Sequence, residues 1–397
     1  MNKKILAAAA LLLCACRTAG PSEPASQAEP EETEEAVQTP EAEEAVITPE
    51  TTEEPEEQAE EYTASLFVTG DGLLHESVYT DAMNEDGTFD FAKQLDDVLD
   101  VVSNYDLAYY NQETILGGTE LYLSGYPTFN SPQEFGEYMV SKGFNLVSTA
   151  NNHCLDRGWQ GIVSSREFWN SQENVLMQGT NTSMLEYDEI ASMNVNGIDV
   201  AFLSYCENTN GIEPDYGFEV NYFPGHEQEM LDKVARAKAE NDVVIVAMHW
   251  GTEYSHEVND EQFRLANALA EAGADVIVGN HVHVIQPFQW IGDVPVFYAM
   301  GNLISSQIGT ERRIGMIAGM DIHKKVENGE TKITVDNVRA DLVYVTYVGD
   351  ETVLRTDVKV HNFEDLTDEM LEDHDAVYEE YKAIITGLDD NIQIGGV

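Results

Sequence analysis

The sequence predicts a layered α/β domain that closes with an antiparallel β region and a final helix. Three observations carry that prediction. Short apolar runs rich in β-branched residues recur from residue 65 onward, each of strand length. Stretches of helical length separate them, and strands that alternate with covering helices build layered α/β folds. From residue 312 to 360 the helical stretches cease and strand-like segments follow one another directly, as in antiparallel sheets.

The first expected strand is "SLFVTG" (65–70), followed by a helix over 91–102 and the strand "DLAYYN" (106–111). A helix over 132–142 leads into "FNLVSTA" (144–150), and a helix over 158–171 leaves it. The strand "DVAFLSY" (199–205), a helix over 226–240 and the strand "VVIVAMH" (243–249) continue the alternation. A helix over 258–272 and the strands "DVIVG" (275–279) and "VPVFYAMG" (294–301) complete it. Residues 365–387 read as the closing helix. Residues 62–310 thus form the main domain, and 311–397 complete it.

The first 61 residues lie outside that core. "MNKKILAAAALLLCAC" has two lysines and then an apolar run too short to span a bilayer, as a secretory signal has. Its "LCAC" ending resembles a bacterial lipobox, with small Ala15 before Cys16, so cleavage before Cys16 and lipidation of its thiol are expected. Residues 21–61 hold sixteen Glu and six Pro, with no Lys, Arg or aromatic residue. Such a tract cannot bury enough apolar surface to offset its ordering entropy. Residues 17–61 are therefore expected to be a disordered tether, spanning roughly 35 Å as a flexible coil and up to about 140 Å if PPII-like.

The whole chain carries a formal charge of −53. Setting aside the tract's sixteen Glu and the basic Lys3, Lys4 and Arg17 leaves 57 acidic and 17 basic groups, or −40. That balance excludes nucleic-acid binding through a basic face. Any anionic substrate must meet local positive charge, and metal ions supply it efficiently. Only Cys154 and Cys206 follow Cys16, which allows at most one internal disulfide and leaves open whether the two meet.

The polar residues fall at one recurring position. Asp71 follows the first strand, with His75 four residues on; Asn111 and Glu113 close the second; Asn152 and His153 follow the third. His249 ends a later strand with Glu253 nearby, His281 and His283 follow "DVIVG", and Asn302 ends "FYAMGN". Carboxylates, amides and imidazoles are thus expected to gather at one edge of one sheet, where α/β sheets bind ligands. Residues two apart, such as His281 and His283, point the same way from an extended segment. Asp, Glu, Asn and several His suit Mn²⁺, Fe²⁺ or Zn²⁺, one ion or two sharing a carboxylate. Paired ions activate water and clamp an anionic oxygen in hydrolysis.

In order, "GDGLLH", "NQE", "ANNHCLDRGWQG", "HWGTEY", "GNHVHVIQP" and "FYAMGNLI" resemble the CapA family of capsule and poly-γ-glutamate synthesis proteins, over roughly residues 65–310. That family is similar to the calcineurin-like metallophosphatases, so the resemblance implies a metallophosphatase-like sandwich. It also implies Asp71, Glu113, Asn152, His249, His281 and His283 as metal ligands, with Glu113 the bridge. His153 falls where the related phosphatases keep a general acid. The chain departs from the pattern at Asn280 and Val282, where the family has His and Pro. His75 stands four residues after Asp71, where the phosphatases have Asp-x-His. Gly158 and Gly161 are expected to let the following helix pack close, and Cys154 and Trp250 to serve packing. Asn111, Arg157, Glu253, Asn302, Arg312 and, beside it, Arg313 are candidates for contacting an anionic substrate.

Three functions compete on this reading. The leading one is a lipid-anchored extracytoplasmic protein that synthesises, releases or modifies an anionic polymer such as poly-γ-glutamate. Its expected partners are the polymer or an envelope precursor, the membrane, a polymer ligase and membrane subunits. The others are a metal-dependent phosphoesterase acting on envelope precursors and a non-catalytic polymer-binding assembly subunit.

Overall fold

A computed structural model describes residues 59–350 and 353–397. The expected signal peptide, Cys16 and the acidic tract through residue 58 lie outside the described residues. Glu60 and Glu61, assigned to the tether on composition, instead open the first strand.

Strands β1 (Glu60–Gly72), β2 (Leu107–Asn111), β3 (Leu146–Ser148) and β4 (Leu176–Gln178) run parallel, side by side. A second sheet holds β5 (Ala191–Val195), β6 (Ile198–Cys206), β7 (Val243–His249), β8 (Val276–Asn280), β9 (Phe288–Ile291) and β10 (Val294–Phe297). Strand β11 (Asn302–Ile304) returns to pair with β1. On the far side of β1, β12 (Ile314–Glu327), β13 (Glu330–Val348) and β14 (Thr356–Asn362) extend the first sheet in antiparallel fashion, and β15 (Gln393–Ile394) pairs with β13. The 312–360 region is antiparallel as expected, and it is continuous with the main sheet through the Glu60–Thr69 ladder of β1 against β12.

Period-two alternation sets the layers. Leu66 and Val68 of β1, Leu107 and Tyr109 of β2, and Phe202, Ile245 and Val278 of the second sheet share one buried cluster. The two sheets therefore face each other across it. Phe67, Ala108, Tyr110 and Val147 point the other way, onto Val98, Leu99, Phe135 and Met139 of the flanking helices. On the opposite outer face, Leu203, Val244 and Val246 meet Val234 and Leu265. Helix, sheet, sheet and helix form four layers, the layered α/β sandwich that the sequence predicts. Both faces of the central strands are buried, which is why β7 reads as an unbroken apolar run.

Several elements are shorter than predicted, among them β3, which keeps only Leu146–Ser148 of the expected 144–150. The "VPVFYAMG" strand stops at Phe297, and the chain turns through Met300 and Gly301 before β11. The closing helix spans His374–Ile385 alone, because Asp373 takes a left-handed φ of 55° and interrupts the preceding turn.

Candidate metal centre

Register brings the polar strand ends together. Asp71 pairs across from both Asn111 and Asn302 in the first sheet, and His249 pairs with Asn280 in the second. The site thus lies between two facing sheets, not along one edge of one sheet. Asp71, Asn111, Glu113 and Asn152 come from the first, while His249, His281 and His283 come from the second. Strand length and hydropathy define a strand but not its neighbours, so the sequence merged the two edges. Both histidines of the H-x-H pair also depart from expectation. Strand β8 ends at Asn280, and His281 and His283 follow with φ of 97° and 61° instead of an extended backbone. Such values cost a non-glycine residue on the order of 1–3 kcal/mol and persist where the surroundings enforce them.

Asp71, Glu113 and His283 form a buried group whose ligand atoms all lie within 4.8 Å of one another, and that group could hold a metal ion. Glu113 Oε1 stands 3.6 Å from His283 Nε2 and 3.9 Å from His249 Nε2. His249 Nε2 lies 3.1 Å from Asn152 Oδ1, and its ring is 4.6 Å from that of His281 between centroids. Asn111 Nδ2 donates to Asp71 Oδ1 at 2.8 Å. His283 Nδ1 lies 3.1 Å from Asn302 Oδ1 and 3.3 Å from Asp71 Oδ2, while its Nε2 faces Glu113.

The residues fit a divalent ion by a direct test. Asp71 Oδ2, both Glu113 carboxylate oxygens and His281 Nδ1 are buried without a hydrogen-bond partner, a costly state unless another group completes them. Burial, with Asp71 beside it, raises the Glu113 pKa well above the ordinary carboxylate range. Burial holds His249 well below its ordinary value and His281 at about 4, so both imidazoles are neutral and able to ligate.

A cleft of about 480 Å³ opens onto this floor, sharing Asn152 and His283 with it. His153 lines the cleft, and its Nδ1 lies 2.8 Å from Asp156 Oδ2. The same Asp156 oxygen accepts from the Phe129 backbone N–H at 2.6 Å, and Phe129 packs edge-on against His153 at 4.6 Å between centroids. Asp156 escaped the sequence reading, although H-x-x-D around a tight turn was an available signal. Asn210 was also missed: its Oδ1 lies 3.5 Å from Asn152 Nδ2, and no local pattern marks it. Glu253 lines the cleft.

The other candidates for substrate contact are not among the residues lining the cleft. Asn111 and Asn302 are fully buried, the latter bonded to His283, Gln307 and the Arg312 carbonyl. Arg157 binds the Asp156 carbonyl and Ser124, outside the cleft lining. The Arg312 guanidinium lies 3.9 Å from the Tyr254 ring centroid, and Arg313 packs between Tyr344 and Tyr347. His75 lines the cleft, its Nδ1 held near the Leu73 carbonyl and the Ser306 N–H; burial lowers its pKa to about 3. Gly158 has a left-handed φ of 54°, and Gly161 packs where a Cβ would stand 3.1 Å from Ile115. Cys154 and Cys206 are both free and share an apolar cluster. Trp250 is buried and donates to the Tyr298 carbonyl at 2.9 Å.

A buried carboxylate–imidazole group at the strand ends of a four-layer α/β sandwich defines the class of protein. The particular family follows from sequence comparison. The profile of the family described as "Bacterial capsule synthesis protein PGA_cap" matches residues 65–307, and the chain belongs to that family. It is 29% identical over 214 residues to "PGA biosynthesis protein CapA" of Bacillus subtilis (strain 168), covering 51% of this chain and 53% of that protein. It is 30% identical over 182 residues to "Capsule biosynthesis protein CapA" of Bacillus anthracis, covering 45% and 44%. The chain thus spans about half the length of these curated relatives. Among solved structures, a 5'-nucleotidase precursor from Thermus thermophilus is similar with a TM-score of 0.40 at 15% identity, over 69% of this chain and 54% of that one.

Proposed function

We propose that this chain acts in the synthesis, release or modification of an anionic capsule polymer of poly-γ-glutamate type, through a metal-dependent hydrolase-like site. In this reading it is held at the outer face of the cytoplasmic membrane by a lipid on Cys16, with a polymer ligase and membrane subunits as partners. Family membership and the names of the Bacillus relatives support the polymer assignment. The observation that carries the chemistry is the pair of unpartnered, fully buried Glu113 oxygens between Asp71, His249 and His283. The attachment proposed here rests on acyl chains; among the described residues no helix is long and apolar enough to cross a membrane.

Asp71, Glu113, Asn152, His249, His281 and His283 would hold one or two ions, Mn²⁺, Fe²⁺ or Zn²⁺ by donor type. The chemistry such ions supply is Lewis acidity toward an anionic oxygen and an activated water. The chain's own contribution is at His153. Asp156 holds its Nδ1, which leaves Nε2 to pass a proton to a leaving group in the cleft. Asn302 orients His283, and Asn111 orients Asp71.

The test separates ligand from acid. His281→Ala should lose metal, stability and function together. His153→Ala should keep its metal while hydrolysis or polymer output falls on the order of 10²–10⁴-fold. Metal loss in His153→Ala equal to that in His281→Ala would make His153 a ligand. Full function in His153→Ala would favour a non-catalytic assembly subunit.

A further inference from the structure

Among the described residues, the lining of the cleft holds two carboxylates, Asp156 and Glu253, three imidazoles, and no lysine or arginine. The domain around it is acidic, with 57 acidic against 17 basic groups once the tract and Lys3, Lys4 and Arg17 are set aside. Among the lining residues, positive charge would therefore reside at the metal floor alone. A polyanion laid along the cleft would place each further carboxylate against Asp156 or Glu253 with no cation to meet it.

The walls are aromatic instead. Tyr126 is 78% exposed and Tyr254 42% exposed, and both line the cleft. Tyr126 meets Phe129 edge-on at 6.3 Å between centroids, and Phe129 meets His153 at 4.6 Å. On the other side Tyr254 lies 6.0 Å from His283. One run of rings thus leads from the rim to the proton-transferring imidazole, and a second leads to a metal-ligand imidazole. Arg312, which stacks on Tyr254 at 3.9 Å, faces Glu311 at 3.6 Å and is not among the residues lining the cleft.

We infer that the cleft takes a small substrate with a single oxyanion group, phosphoryl or carboxylate, on an uncharged ring-bearing body held by Tyr126 and Tyr254, and that it excludes the finished polyanion. This deepens the metal-centre reading and rests on it. The site then acts on a precursor, carrier or capped end, and reactions that assemble the charged polymer occur elsewhere.

The experiment uses the full chain with manganese added and its metal content measured in every sample. Calorimetric titrations employ phenyl phosphate, hippurate and a poly-γ-glutamate decamer, at low and at high salt. Phenyl phosphate or hippurate should bind, and whichever binds identifies the oxyanion as phosphoryl or carboxylate. Tyr126→Ala and Tyr254→Ala should each weaken that binding about 3- to 10-fold with manganese content unchanged. The decamer at about tenfold excess should fail to displace the ring ligand at low salt, where screening is weakest. With manganese present, displacement by the decamer overturns the inference alone. So does failure of both ring ligands to bind, or tyrosine variants that bind as the wild type does. Absence of manganese from every sample overturns the metal-centre reading and the inference with it.

Discussion

Glu113 concentrates the electrostatics of the site. Its two oxygens are buried without partners, and burial beside Asp71 favours the protonated form. A divalent ion takes the carboxylate, so Mn²⁺ binding should release protons. Titrations in two buffers of different ionisation heat read this directly, and equal apparent heats would contradict it. The histidines act in the opposite direction in the metal-free protein. His281 falls from an ordinary 6.5 to about 4, and His249 falls well below 6.5. The unfolded chain then binds more protons than the folded one between those values. Their contribution is complete above pH 6.5 and is lost as pH falls toward 4. Melting temperatures of the metal-free protein should drop across that window, and a flat profile would contradict the burial assigned to them. At this scale the sequence was most legible where chemistry is carried by residue type, as at Asp71, Glu113 and His283. It was least legible where roles depend on folded partners. Asn302 reads as a strand-end amide and serves as the acceptor for His283, and Asp156, which the sequence reading passed over, holds His153.

Elements place these groups through close backbone packing. A Cβ on Gly279 in β8 would stand 1.9 Å from the Tyr298 carbonyl oxygen and 2.5 Å from Trp250 Nε1. Gly279→Ala must therefore push β8 from its neighbours just before the two histidines. The expected cost is about 1–3 kcal/mol of stability, with a loss of metal affinity that a surface glycine such as Gly292→Ala does not share. Equal metal affinity in Gly279→Ala and wild type would show that the histidine loop is placed independently of β8. Helix Asp260–Ala272 supports the same loop, since Gln262 closes the capping box with Asn259 and also bonds Gln286 at 2.7 Å. Long apolar strands such as β7 announced themselves, because both faces are buried. Strand β4 has only three residues and β5 alternates half-exposed positions at a sheet edge, so neither offers a distinct apolar run. The assignment of strands to two sheets rests on pairing across long stretches of sequence, such as β11 with β1, which hydropathy does not encode.

At the scale of the molecule, a chain carrying −53 holds, among its described residues, a buried group that calls for positive charge. Attachment to the membrane is a separate proposal with a separate check. Cys16→Ser should move the protein from the detergent phase to the aqueous phase, and equal partitioning of mutant and wild type would remove the lipid anchor. The central claim is that the ends of two facing sheets build a divalent-metal site on Glu113. Its most direct measurement is the metal content and melting temperature of purified wild type and Glu113→Gln, before and after exhaustive chelation. Wild type should carry one or two divalent transition ions and melt lower once they are removed. Glu113→Gln should carry none and melt at the same temperature with or without chelator. A metal-free wild type whose melting curve is unmoved by chelation or by added Mn²⁺ would contradict the account.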